Sequence, residues 1–246
     1  MNSVQTAVYR AFQCSFAAHY IDFKETEFMT NQTKQARELR DSGRSKPGAA
    51  IPIGHVLLLL FELLVVVHGF ADEGLATLRF YTTDSNLLCG IASALYLWTY
   101  FRGGNVKGSE AGVLPLLRFI ATSCLLVTFT VVLLVLGPEN GFAHEFLDGT
   151  RLFSHLLCPF LSLILFLFGD ELASFSYISR ALFTTLLYAV PMILLNAAGL
   201  VSGPYSFLKV REQSLASTLF WIVVILGGNA FLALAAVLLQ KRFFKR

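Results

Sequence analysis

The chain has 246 residues, 55% of them hydrophobic and 14% charged, with a net charge of +3 and a mean hydropathy of +0.64. A soluble domain carries about 25% charged residues, so a water-soluble globule is excluded. The small net charge, with basic residues kept outside the apolar runs, excludes a nucleic-acid surface.

The apolar residues fall in blocks of roughly 17 to 25, each long enough to cross a ~30 Å hydrocarbon core as a helix. The expectation is an all-α, polytopic membrane protein, a six-transmembrane-helix bundle, with membrane lipids as its surroundings. Four cysteines, Cys14, Cys89, Cys124 and Cys158, form no CxxC pair, and three lie inside apolar runs. That pattern argues for packing rather than a disulfide framework or a zinc site. No cofactor is called for.

Residues 1–48 differ from the rest. Val4, Val8, Phe12, Phe16 and Tyr20 recur every four residues and draw an apolar stripe on a helix. The stripe suits an interfacial helix lying on the membrane; the other reading is an arm that precedes a later start. Residues 31–48 are polar and basic, with Gly43 and Pro47, and read as a linker. An early apolar signal segment is not seen, so the first span is expected to direct insertion itself.

The transmembrane domain is expected over 49–240, with a basic tail at 241–246. Its first span runs from Ala50 to Phe70 and carries His55, Glu62 and His68. The second runs from Phe80 to Phe101 and opens on Thr82, Thr83, Asp84, Ser85 and Asn86. The third, Leu114 to Leu136, has Arg118 near enough to its end to snorkel. The fourth, Leu152 to Phe168, is the shortest and holds His155, Cys158 and Pro159. The fifth, Ile178 to Leu200, is interrupted by Pro191 and carries Asn196. The sixth, Leu215 to Leu239, has Gly227, Gly228 and Asn229 mid-span. Short loops make neighbouring helices antiparallel.

With a cytoplasmic N-terminus, fifteen Lys and Arg residues fall inside and four, Arg79, Arg151, Lys209 and Arg211, outside. The positive-inside rule then places both termini in the cytoplasm, and the plasma membrane is the expected location. The sequon Asn31-Gln32-Thr33 would face the cytosol.

That topology brings Thr82 to Asn86, His155, His68 and Asn196 to one outer level, with Glu62 roughly 9 Å deeper by helical rise. Polar groups in hydrocarbon mark a site or a wet pocket by default. Thr82, Ser85, Asn86 and Cys89 share one helix face, as do His155, Cys158, Pro159 and Ser162. A threonine in a helix commonly bonds back to the preceding turn. A buried Glu62 is the clearest candidate for a functional charge, and Cys158 is read as packing.

Thr82 and His155 are the hydroxyl and imidazole pair that both begin helices at the outer level. A threonine hydroxyl needs a base to become a nucleophile, and histidine supplies one near neutral pH. Asn86 or Asn196 would then donate to a developing oxyanion. His68, His155, Glu62 and Asp84 can be imagined around a metal, but no HExxH-type spacing supports that.

Arg79-Phe80-Tyr81-Thr82 ahead of a Leu-rich helix resembles the threonine motif of the androgen-induced-gene family of intramembrane hydrolases. His155-Leu-Leu-Cys158-Pro159-Phe160 resembles its histidine motif. Six spans, cytoplasmic termini and the order threonine then histidine are similar too, and uncharacterised bacterial six-helix proteins look closer still. The resemblance implies a lipid-ester hydrolase, acting on fatty acyl esters, with Thr82 as nucleophile and His155 as base. The alternative class is a non-catalytic carrier or sensor that binds a lipid or small apolar ligand in the same pocket.

Overall fold

The computed structural model describes residues 49–103, 112–169 and 173–244. The amphipathic stripe, linker and sequon expected over 1–48, and the last two tail residues, lie outside the described residues. Among the described residues 86% are helical and none is in a strand.

The helices, in chain order, are α1 (Ala50–Glu73), α2 (Tyr81–Phe101), α3 (Val113–Asn140), α4 (Phe142–Leu147), α5 (Phe153–Gly169), α6 (Ser176–Ala197) and α7 (Leu215–Phe244). A tight turn, Gly74–Arg79, extends α1 towards α2. Four segments, Ala50–Arg79, Val113–Asn140, Ser176–Ala197 and Leu215–Phe243, are long and apolar enough to cross a membrane. They mark an integral membrane protein. α2 has 21 residues, but its polar first turns lower its hydropathy, and α5 is shorter.

Polarity is distributed inside out, as a hydrocarbon solvent demands. Phe183, Leu187, Val190 and Leu194 form an exposed apolar stripe on α6, and Phe220, Val223, Phe231 and Leu238 coat α7. Hydroxyl and amide side chains are buried between helices and bond there. Ser123 donates to Asn229 Oδ1 (2.9 Å), Asn229 Nδ2 donates to Thr185 Oγ1 (2.7 Å), and Thr185 shares a proton with Tyr81 (2.9 Å). Thr122 and Ser162 pair at 2.7 Å across α3 and α5. Such pairs join helices in lipid, where apolar burial between them contributes little. α3 is the central element and packs against α2, α5, α6 and α7.

Two of the apolar helices carry a widened π turn, Val132–Leu136 in α3 and Phe153–Leu157 in α5. Each ends two residues before a proline, Pro138 and Pro159. A proline ring clashes with the carbonyl four residues back and offers it no N–H. Widening the turn relieves that clash without breaking the helix. In α5 the widened turn is where His155 sits. Pro191, expected to interrupt the fifth span, is instead accommodated within a continuous α6.

Arg118 does not snorkel. It is buried, donates to the Leu165 carbonyl at 3.3 Å, and lies 4.7 Å from the Tyr96 ring centre. The carbonyl and the ring face give the guanidinium partners inside the bundle, so it has no need to reach for the interface. His55, at the same end, bonds to Ser93 (3.3 Å) and stacks on Tyr96.

Candidate functional site

The end of the bundle where α1, α3 and α6 finish and α2, α5 and α7 begin gathers most of the polar residues expected there. Two cavities meet at that end. The larger, of about 650 Å³, is polar and is bounded by the last turns of α1, the first turn of α2, the end of α3, α4, the start of α5 and Pro204-Tyr205. The smaller, of about 110 Å³, is an apolar slot between α3, α6 and α7. Three residues, Thr82, Leu136 and Tyr205, line both.

Thr82 occupies the second position of α2, where backbone N–H groups have no partner within the helix. Tyr205 supplies one: its hydroxyl oxygen accepts from the Thr82 amide at 3.3 Å and lies 3.4 Å from Thr82 Oγ1. The Thr82 carbonyl is held as well, by Ser85 Oγ (3.0 Å) and Asn86 Nδ2 (2.7 Å). Ser85 also meets Thr128 Oγ1 at 3.0 Å, fixing α2 to α3. Thr83 turns the other way and shares a proton with Thr77 Oγ1 at 3.0 Å on the wall of the polar cavity. Gly69 makes that wall feasible, since a Cβ there would come within 2.8 Å of the Thr77 hydroxyl.

His155 is buried, and its Nδ1 lies 2.7 Å from the Glu145 carbonyl oxygen. A carbonyl can only accept, so Nδ1 carries the proton and Nε2 is left as the basic nitrogen. No described residue engages Nε2, and it is not among the sealed polar atoms, so it stays open to the cavity that His155 lines. The Glu145 carboxylate adds a second contact, 3.7 Å from Nδ1, and accepts from Asn140 Nδ2 at 2.8 Å. Glu145 belongs to the six-residue helix α4, which lies over the mouth of α5.

Tyr205 is carried by the segment between α6 and α7, and Asn196 braces that segment. Its Nδ2 donates to the Val201 carbonyl (3.0 Å) and its Oδ1 accepts from the Val210 amide (2.8 Å). Ser206 donates to Glu139 at 2.8 Å, and the Tyr205 ring stacks on Phe207. Burial raises the Tyr205 phenol above its ordinary range, with the hydrogen bonds to Thr82 working in the opposite direction. The phenol therefore stays neutral beside the Thr82 hydroxyl, and either oxygen can donate to the other.

The other expected residues divide. His68 lines the polar cavity and pairs with Asp72 at 2.8 Å. Asp84 is half-buried and lines neither cavity. The Asn86 and Asn196 amides, expected as oxyanion donors, spend their N–H groups on the Thr82 and Val201 carbonyls. Glu62 and Cys158 line neither cavity. Glu62 is 1% exposed and abuts the thiols of Cys89 and Cys158, and neither carboxyl oxygen meets a hydrogen bond of good geometry.

Thr82 and His155 line one cavity but share no hydrogen bond. Glu145, Asn140 and Tyr205 complete the site and were not expected. The available sequence signals were an acid one residue after His144 and a tyrosine after Gly203-Pro204, both in connecting segments. Among the described residues no group of three or more His, Cys, Asp or Glu side chains could hold a metal ion.

Fold and site together define a class, a helical integral membrane protein with a histidine-bearing polar cavity joined to an apolar slot. Family models, curated proteins and solved structures yield no match to the chain.

Proposed function

We propose that the protein is a six-span intramembrane hydrolase of fatty acyl esters, with Thr82 as nucleophile and His155 as base near the outer leaflet. α2 and α5 complete the six spans on this reading, both termini are cytoplasmic, and the plasma membrane is the location. The reading also places the chain with the androgen-induced-gene family. One observation carries it: Thr82 stands where an apolar slot meets a polar cavity, and that cavity also holds a histidine with an open Nε2.

The chemistry follows from those positions. Thr82 Oγ1 attacks the acyl carbon, and its proton passes to His155 Nε2. Charge developing on the carbonyl oxygen is met by the Tyr205 hydroxyl at the positive end of α2. Collapse of the tetrahedral species expels the alcohol, which takes the proton from His155. Water then attacks the acyl-threonine, gives its proton to His155, and releases the fatty acid with Thr82 restored. Thr82 and His155 must approach to hydrogen-bond distance when substrate is bound, since catalytic contacts are often longer without it.

The experiment is labelling of purified protein with a fluorophosphonate probe. Wild type should be labelled, and Thr82→Ala and His155→Ala should not. Equal labelling of all three would reject the assignment. Cysteine accessibility tests the orientation, with the tail on one side of the membrane and Asn140 on the other.

The competing reading is a carrier that holds an apolar ligand in the slot. The missing Thr82–His155 hydrogen bond favours it, and it predicts binding without labelling.

A further inference from the structure

The two cavities differ enough in chemistry to specify what each end of a substrate is. The slot is hydrocarbon in effect. Its hydroxyl-bearing lining residues are largely engaged elsewhere: Tyr81 with Thr185, Thr128 with Ser85, Tyr188 with the Arg79 carbonyl and Thr218 with the Ser214 carbonyl. Apart from Thr82 and Tyr205, shared with the polar cavity, the rest of the lining is Ala, Val, Leu, Ile, Phe and Trp. The slot is the apolar space that Thr82 adjoins, and so the place for an acyl chain.

The polar cavity is its opposite. Four carboxylates, Asp72, Glu73, Glu145 and Asp148, line it with one guanidinium, Arg151; Glu73 is paired with Arg79 at 2.9 Å, and Asp72 and Asp148 meet His68 and His144. Arg151 is itself engaged, donating to His144 Nε2 at 2.8 Å while His144 Nδ1 meets Asp148 at 2.7 Å. A second fatty arm placed there would desolvate charged groups and forgo about 25 cal/mol for each Å² left unburied. An anionic arm would face an excess of like charge.

His155 fixes which arm goes where. The leaving alcohol receives its proton from Nε2, so the alcohol belongs in the polar cavity and the acyl chain in the slot. Resting on the hydrolase reading, we propose that the substrate is the ester of one fatty acid with a small polar alcohol that carries no negative charge. A glycerol or a choline-like alcohol fits. Two-chain lipids, and fatty esters whose alcohol arm is long and apolar or bears a carboxylate, do not.

The test uses full-length protein in a bilayer of diether lipids, which contains no ester of its own. Four oleoyl esters are compared, those of glycerol, choline, 12-hydroxystearic acid and oleyl alcohol. The glycerol and choline esters should be hydrolysed with kcat/KM at least tenfold above the other two. Asp72→Asn combined with Asp148→Asn should lower kcat/KM for the cationic choline ester a few-fold relative to that for the glycerol ester. Hydrolysis of the hydroxystearate or oleyl ester at an equal or higher kcat/KM would overturn the inference.

If no ester is turned over faster than by Thr82→Ala, the hydrolase reading fails, and binding decides the occupant separately. The chain has two tryptophans, and Trp221 lines the slot. In Trp98→Phe, quenching of Trp221 by a chain-brominated 1-O-alkylglycerol is compared with quenching by the matching dialkyl ether. Stronger quenching by the monoalkylglycerol retains the single-chain, polar-headed occupant. Equal quenching, or none, removes it.

Discussion

The Tyr205 hydroxyl lies 3.3 Å from the amide nitrogen of Thr82 and 3.4 Å from its Oγ1, joining the segment before α7 to the first turn of α2. A residue 123 positions away thus provides the nearest side-chain partner of the proposed nucleophile. Asn196 and Ser206 hold that segment in place, so the relationship is built into the fold.

Tyr205→Phe removes the hydroxyl and keeps the ring that stacks on Phe207. Loss of an oxyanion donor lowers kcat by about 10²–10³-fold, while the lost hydrogen bond costs stability only about 1 kcal/mol. A large fall in ester turnover with a nearly unchanged unfolding midpoint is expected. Equal turnover in Tyr205→Phe would leave Tyr205 a purely structural contact.

The pH profile offers a companion measurement. Burial raises the Tyr205 pKa, so the phenol keeps its proton beyond the ordinary value of about 10. A group with a raised folded pKa contributes stability that is intact below the unfolded value and lost as pH rises through the folded one. Tyr205 should therefore impose no loss of stability below about pH 10. Above that pH the wild type should lose stability more steeply than Tyr205→Phe, which a pair of thermal-unfolding series would show.

Glu145→Gln keeps the backbone carbonyl that accepts from His155 Nδ1 and the contact with Asn140, but removes the carboxylate charge. An ion beside the imidazole favours the protonated species formed during acyl transfer. A kcat reduced by about tenfold with KM within twofold is the expected split. Glu145→Asp should recover part of the loss. Equal changes in kcat and KM, or none in either, would separate Glu145 from the chemistry.

Glu62 makes a different case. An ionised carboxylate with neither a cation nor a hydrogen-bond partner costs several kcal/mol inside a bundle. Glu62→Gln keeps the shape and should leave the unfolding midpoint unchanged or higher. A marked drop would mean that the carboxyl group has a partner glutamine cannot replace, the thiols of Cys89 and Cys158 being the polar groups it abuts.

Much of this arrangement was legible in the sequence. Apolar blocks of helical length located α1, α2, α3, α5, α6 and α7 to within a few residues. Basic asymmetry and short loops implied that Thr82, His155 and His68 approach one level, and they line one cavity. Hidden features depended on long-range packing. α4 has six residues and no apolar period to betray it, so Glu145 looked like a loop residue, and Asn140 is the last residue of α3, beyond the apolar run that marks that helix. Tyr205 sits in a segment whose path is set by Asn196, an interaction that no local pattern encodes. The sequence makes Asn86 and Asn196 candidate oxyanion donors, and their backbone partners, a carbonyl one turn back and a loop beyond the helix end, become apparent only in three dimensions. Arg118 was read as snorkelling because its carbonyl partner, at Leu165, lies 47 residues away.

The central claim is that Thr82 and His155 act as one unit. Its most direct test is the mutant cycle of Thr82→Ala, His155→Ala and the double variant, measured as hydrolysis of 1-oleoylglycerol in diether-lipid bilayers. The hydrolase account expects each single variant to lose about 10³-fold or more in kcat and the double variant to be scarcely worse, because members of a catalytic unit are strongly non-additive. Losses that multiply in the double variant, or single variants that retain wild-type turnover, would contradict it.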